Sequence, residues 1–249
     1  MRAMKAAGLV LCYHAVSDDW DHALSVTPTA LERQLRALLR RGFTPFPAAE
    51  LPAGRRRGLH VTFDDAYANV LQAAPMLQRL GVHATIFAIS SLADDGAPMN
   101  VPELAAELVA NPQHLATMTW DDLRGLAESG FEIGAHTVTH PHLPALSDAE
   151  LDRELGESRT QVEDQLGRPC RLLAYPFGEH DPRVQAASRR AGYAAAFALA
   201  AGASARNPFA VPRTDIYRRD SLARMMLKTT FVKPGAARML SRVRARPAP

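Results

Sequence analysis

Four stretches of this chain set residues with acid–base or metal-binding chemistry at the ends of apolar runs. The first, Leu59-His-Val-Thr-Phe-Asp-Asp65, drives an apolar strand into two adjacent carboxylates. Side chains alternate along a strand, but the chain turns at its end, so both carboxylates can face one pocket. Side by side they repel unless one meets a cation, which points to a metal ion or a basic partner. The competing reading is an Asp cap on a helix beginning near Tyr67. The second stretch, Phe131-Glu-Ile-Gly-Ala-His-Thr-Val-Thr-His140, ends in histidines four apart. On a helical turn that spacing sets both imidazoles on one face, within reach of one ion. Surface pairs at this spacing also arise by chance. An aspartate from the first stretch with His136 and His140 makes an Asp/His/His set whose fourth position is open to water, the arrangement of a catalytic rather than a structural zinc site.

The third stretch, Leu172-Leu-Ala-Tyr-Pro-Phe-Gly178, closes on Pro and Gly. It reads as a tight turn, and its backbone amides could also face the pocket as oxyanion donors. The fourth, Leu9-Val-Leu-Cys-Tyr-His14, ends a buried run on an imidazole. Taken alone, that is better explained by a histidine bonded to a carbonyl than by a proton-transfer group.

The elements needed to position these residues are present in the same sequence. Short apolar runs at Leu9–Tyr13, Gly58–Phe63, His83–Ile89, Phe131–Ala135, Arg171–Tyr175, Ala194–Leu199 and Ala210–Arg213 read as strands, being too short for helices and bounded by Gly, Pro or polar residues. Between them, Thr29–Arg41 carries a leucine stripe and stops at Gly42, Thr119–Ser129 stops at Gly130, and Ser147 with Glu150 forms a capping box ahead of a helix ending near Gly167. Residues 93–113 read as an insertion over one face. About seven β–α units predict a parallel barrel or an open doubly wound sheet, and either places chemistry at the carboxyl ends of the strands.

With 249 residues, 47% hydrophobic and 22% charged, the chain can bury a sizeable core. No run reaches the roughly 20 apolar residues of a transmembrane helix, and the stretch Met1-Arg-Ala-Met-Lys-Ala-Ala-Gly leads too quickly to polar residues for a signal peptide. These features predict the cytoplasm. Cys12 and Cys170, without CxxC spacing, read as small buried residues. No zinc-finger spacing or aromatic-interleaved basic stripe supports nucleic-acid binding. The last segment interleaves Arg224, Lys228, Lys233, Arg238, Arg242, Arg244 and Arg246 with Met225, Met226, Leu227 and Phe231. It reads either as a solvated helix face with a frayed end or as a peripheral contact with an anionic membrane. The expected division is a barrel over 1–220 and a basic amphipathic segment over 221–249.

Phe63-Asp64-Asp65, His136-Thr-Val-Thr-His140-Pro-His-Leu and Tyr175-Pro-Phe-Gly178, in that order and at those intervals, resemble the NodB-homology polysaccharide deacetylases of carbohydrate esterase family 4. The resemblance spans roughly Leu9 to Arg213. It implies an irregular (β/α)7 barrel and hydrolysis of an N-acetyl group on an amino sugar or glycoconjugate. It further implies Asp64 as the base, Asp65, His136 and His140 as ligands of a divalent ion, and a backbone amide near Phe177 as an oxyanion donor. Zinc is the first expectation for the ion, with cobalt or nickel also suited. Related hydrolases on a non-carbohydrate amide, a cyclic imide or a formyl group are the alternative. Two departures from the family pattern matter. The arginine that tethers the base in many members is missing before the proline loop, and Arg213 is the candidate replacement. The C-terminal histidine acid is missing too, but Tyr13-His14-Ala-Val resembles the N-terminal Tyr-His of the poly-N-acetylglucosamine deacetylase branch, which makes His14 the expected acid.

Overall fold

In the computed structural model, which describes residues 8–47, 50, 57–199, 203–204 and 207–230, the apolar runs form parallel strands and the amphipathic runs form helices between them. The chain opens with β1 (Leu9–Tyr13), a short pair β2 (Ala15–Val16) and β3 (Ser25–Val26), α1 (Pro28–Arg40), β4 (Thr44–Pro45) and β5 (Gly58–Phe63). It continues through α2 (Ala74–Arg79), β6 (Ala84–Ala88), α3 (Ala105–Ala110), α4 (Trp120–Glu128), β7 (Glu132–Ala135), α5 (Asp148–Leu166) and β8 (Leu172–Ala174). The last described elements are α6 (Pro182–Arg190), β9 (Ala195–Ala198), β10 (Val211–Pro212), β11 (Thr214–Asp215) and α7 (Leu222–Thr230).

The strands follow the order β10-β9-β8-β7-β6-β5-β1-β11, with β4 against the start of β5. All of these pairings are parallel. The two ends of the order, β10 and β11, are one stretch of chain interrupted at Arg213: β10 bonds to β9 and β11 to β1. This segment covers both open edges and nearly closes the barrel, removing the unpaired rows that a sheet edge would expose. Joining β10 and β11 reduces the eight strands of the order to the seven of an irregular (β/α)7 barrel.

The period of two along each strand sorts side chains into two apolar layers. Leu11, Tyr13, Val61, Phe63, Ile86, Ile133 and Leu173 pack outward with the helices in the main core. Val10, Phe87, Ala174, Phe197 and Val211 belong to a second, smaller cluster that fills the barrel. The same alternation turns Cys12, His14, Thr62, Asp64, His136 and Arg213 inward. Gly134 is required in that interior because a Cβ there would lie 2.5 Å from the Phe87 ring.

Helix boundaries fall where local chemistry predicts. Thr27 caps α1, and capping boxes at Thr119/Asp122 and Ser147/Glu150 open α4 and α5. Gly167 ends α5 in the left-handed conformation. The segment read as an insertion forms short turns and α3, tied back by bridges Tyr67↔Thr117 and Pro98↔Ala116. Trp20 and Trp120 are 2% and 7% exposed, with indole nitrogens donating to Glu107 and Asp94, so neither offers an open sugar-stacking plane. No helix among the described residues is long and apolar enough to cross a membrane. In α7, Met225 is buried, and Arg224 and Lys228 pair with Asp220 at 3.0 and 2.5 Å. The basic residues after Thr230 lie outside the described residues.

Candidate active site

The mouth at the carboxyl ends of the strands is built first by β5. The Asp64 amide donates to the Tyr13 carbonyl at 2.9 Å, extending the ladder with β1 by one residue. Asp65 and Ala66 then adopt φ of 65° and 49°. This left-handed step, better tolerated by Asp than by most side chains, reverses the chain and brings the Asp65 carboxylate into the mouth that Asp64 already faces. Neither aspartate caps a helix, because the next helical turn, Ala68–Ala73, starts at Tyr67 without a side-chain cap.

Beyond β7 the His136 amide donates to Ala88 at 2.8 Å, and the chain bends through Thr137 and His140 at φ of 70° and 62°. The histidine spacing suggests a helical turn, but the segment is an irregular turn with two left-handed residues. A buried carboxylate from α5 holds it. Glu154 Oε2 accepts from the Val138 and Thr139 amides at 2.9 and 3.0 Å, and Oε1 accepts from the Thr139 hydroxyl at 2.8 Å. The His140 amide donates to Thr137 Oγ1 at 3.0 Å. The sequence reading passes over Glu154. Its signal is there, however: it stands three residues after Leu151, as an acid on the helix face that buries Leu151, Leu155 and Val162.

Asp65, His136 and His140 converge. Asp65 Oδ1 lies 3.4 Å from Nε2 of each histidine, and all three residues are buried. His136 Nδ1 is 2.8 Å from the Ala174 carbonyl, which can only accept, so Nδ1 carries a proton and Nε2 faces Asp65. Burial works to lower this imidazole, but the Asp65 hydrogen bond and the two carboxylate charges outweigh it and push it up, so an ion at Nε2 would take the place of a proton. Burial pushes His140 down to about 4, which keeps it neutral near pH 7. Asp65 Oδ1 is buried without a hydrogen-bond partner. Bonds of about 2.0–2.2 Å at tetrahedral angles set ligand atoms roughly 3.3–3.5 Å apart, so the orphaned oxygen and two imidazole nitrogens fit a divalent ion.

Asp64 stands beside this set in a different environment. Arg213, at the junction of β10 and β11, clamps it with Nη1 to Oδ1 at 2.5 Å and Nη2 to Oδ2 at 2.7 Å, and Nη1 also donates to Thr62 Oγ1 at 3.1 Å. The guanidinium carbon lies 5.6 and 5.8 Å from the Phe87 and Phe197 ring centres, inside the barrel. Burial works to raise the Asp64 carboxyl, but the Arg213 charge outweighs it, and the carboxyl is held well below the usual carboxylate range. The Cys12 thiol, 3.4 Å away, donates to Asp64 Oδ2. His14 follows β1, next to β11 in the barrel, and its ring stacks at 6.4 Å on Tyr217. One atom each of His14, Cys12 and Asp64 lie within 4.8 Å of one another. Phe177, at φ 58°, sits in the Pro176–Gly178 turn. Its ring meets His140 edge-on at 4.7 Å and stacks on His142 at 4.0 Å. The sequence reading assigns only the Phe177 backbone to the pocket, whereas the ring also covers a histidine of the Asp65 set.

A polysaccharide deacetylase family model matches residues 53–196. YxkH of Bacillus subtilis (strain 168) is 24% identical over 206 residues, 80% of this chain and 66% of that protein, so the chain spans just under two thirds of this relative's length. The structure of the Streptococcus pyogenes deacetylase PplD in complex with acetate superposes with a TM-score of 0.74 at 21% identity, covering 90% of this chain and 98% of that one. IcaB from Ammonifex degensii superposes with a TM-score of 0.72 at 19% identity, covering 90% and 97%. The family match covers more than half of the sequence and carries Asp64, Asp65, His136, His140 and Phe177, so this chain belongs to the polysaccharide deacetylase family.

Proposed function

We propose that this chain is a metal-dependent hydrolase that removes an N-acetyl group from an amino sugar or glycoconjugate. The observation that carries the reading is the pairing, at one barrel mouth, of a buried Asp/His/His set with 3.4 Å spacings and an adjacent carboxylate held ionised by arginine. Asp65, His136 and His140 would hold the ion, zinc first, with cobalt or nickel also suited to these N/O donors. When bound it supplies Lewis-acid polarisation and a water of lowered pKa.

The remaining roles fall to the chain's own groups. Asp64 is the base, accepting a proton from the water that attacks the acetyl carbonyl. Arg213 fixes both Asp64 oxygens, so the orientation of the base is set before substrate arrives. The Phe177 amide donates to the oxygen on which negative charge develops. His14 gives a proton to the departing nitrogen, which is a very poor leaving group without one. The barrel over 1–220 is proposed as the catalytic unit. The segment 221–249 is proposed as a peripheral contact with anionic membrane, in a chain working in the cytoplasm. Liposome flotation with and without the residues after Lys233 tests that contact.

Acetate release from N-acetylglucosamine oligomers by zinc-reconstituted protein tests the activity. The expected result is release that stops on chelation and returns with zinc. Tight metal binding without release from these oligomers would refute the proposed substrate.

A further inference from the structure

A second group of ligating atoms shares the barrel mouth with the Asp65 set. Cys12 and His14 are successive inward residues of the first strand and its continuation, and Asp64 continues the strand beside it. One atom from each lies within 4.8 Å of the other two. Cys12 Sγ stands 3.4 Å from Asp64 Oδ2. A thiolate and a carboxylate on one tetrahedral ion, with bonds of about 2.3 and 2.0–2.2 Å, sit roughly 3.5 Å apart. His14 Nδ1 is buried with no hydrogen-bond partner. Cys12 itself is fully buried, so the apolar packing of the barrel accounts for a small residue here but not for a thiol aimed at a carboxylate.

We infer that Cys12, His14 and Asp64 form a second cation site, taking a thiophilic divalent ion such as Cd2+ or excess Zn2+, whose occupation blocks the reaction. The binding rests on the geometry alone, and the block rests on the reading of Asp64 as base and His14 as acid. On binding, the Cys12 S–H bond breaks, its proton leaves to solvent and the sulfur electron pair bonds the ion, with no change of oxidation state. The Asp64 Oδ2 lone pair that accepted the thiol proton turns to the ion, while both carboxylate oxygens keep their bonds to Arg213, Oδ1 from Nη1 and Oδ2 from Nη2. Of the two anionic donors, the thiolate is the one whose charge is not already paired, because Arg213 bonds both Asp64 oxygens, so the ion's charge is offset only in part. The nearby Asp65 ion and Arg213 still repel it, so this site is the weaker of the two.

Equilibrium dialysis of the full chain against Cd2+ alone, with ultraviolet detection of the thiolate-to-cadmium band, tests the inference. Wild type is expected to take up two equivalents, the band growing with the weaker one. Cys12→Ser is expected to lose the band and the weaker equivalent. His14→Ala, altered at the partly exposed mouth, is expected to weaken that same equivalent by at least about tenfold. Asp65→Asn is expected to keep the band-bearing equivalent and lose the other. In acetate release, the excess zinc that halves the wild-type rate is expected to rise at least about tenfold in Cys12→Ser, each protein being referred to its own uninhibited rate. A wild-type titration that saturates without a thiolate band would overturn the inference, as would a second equivalent that survives in Cys12→Ser. If the band appears in wild type and Asp65→Asn changes no stoichiometry, the second site stands and the Asp65 set is refuted as a metal site.

Discussion

At the scale of single residues, two adjacent aspartates divide because their surroundings differ. Asp64 is gripped by a buried guanidinium, while Asp65 turns through a left-handed step to face two imidazoles. Breaking the first pair leaves a carboxylate stranded in the barrel. Arg213→Met is therefore expected to cost about 3–5 kcal/mol of unfolding free energy, measured by denaturant titration, with kcat falling as the base loses its orientation. Arg213→Lys retains the charge but not the two-point grip, so its stability loss should be smaller than that of Arg213→Met. These residues were legible in the sequence only in combination: an apolar run that stops on Asp-Asp, or on a histidine, has a bland explanation when taken alone, and it is several such strand ends in one order that match a family's pattern. Arg213 was legible only through the family resemblance, as the candidate at another strand end for the arginine that tethers the base. That its strand divides there, each half serving a different edge, is a property of barrel closure that no local pattern records.

At the scale of elements, the turn carrying His136 and His140 shows where sequence spacing misleads. Histidines four apart fit a helical turn, but here three hydrogen bonds to Glu154 replace the helix and hold left-handed Thr137 and His140. The partner comes from α5, the next helix along the chain, and an acid within an amphipathic helix is ordinarily read as solvated. Glu154→Ala is expected to weaken zinc affinity about 10–100-fold, measured by competition with a chromophoric chelator. Glu154→Gln, whose carbonyl oxygen can still accept from both amides, should recover most of that loss. If affinity is unchanged in Glu154→Ala while thermal stability falls, Glu154 supports the fold and not the ligands. The three helices bounded by caps and glycine stops, α1, α4 and α5, were legible to within a residue or so, since those signals are local chemistry: Ser147 with Glu150, and Gly167 at φ 63°. Helices α2, α3 and α6 were not bounded in the sequence.

At the scale of the whole molecule, the barrel interior is a polar column set within an apolar one. Its floor holds His60, fully buried, with Nδ1 2.9 Å from the Phe46 carbonyl and Nε2 2.8 Å from Thr85 Oγ1. Burial pushes His60 down from 6.5 to about 4. Between those values the unfolded chain binds a proton that the folded chain refuses. Stability is therefore full above pH 6.5 and is lost as pH falls toward 4, by up to about 1.4 kcal/mol per pH unit. His60→Gln should flatten that decline in a series of thermal melts on metal-free protein, and an unchanged slope would assign the acid sensitivity elsewhere. The fold class was legible from the alternation of short apolar and amphipathic runs. The inner layer was legible only in part, because period-two alternation says which residues share a face but not which face is the lumen.

The central claim, that Asp65 holds the metal while Asp64 moves the proton, is tested most directly by one paired measurement. Zinc stoichiometry and acetate release are determined side by side for Asp64→Asn and Asp65→Asn. The account predicts that Asp64→Asn retains the Asp65-set zinc and loses turnover by about 10²–10⁴-fold, while Asp65→Asn loses both. An Asp64→Asn protein that still releases acetate at the wild-type rate, or an Asp65→Asn protein that still binds this zinc, would contradict it.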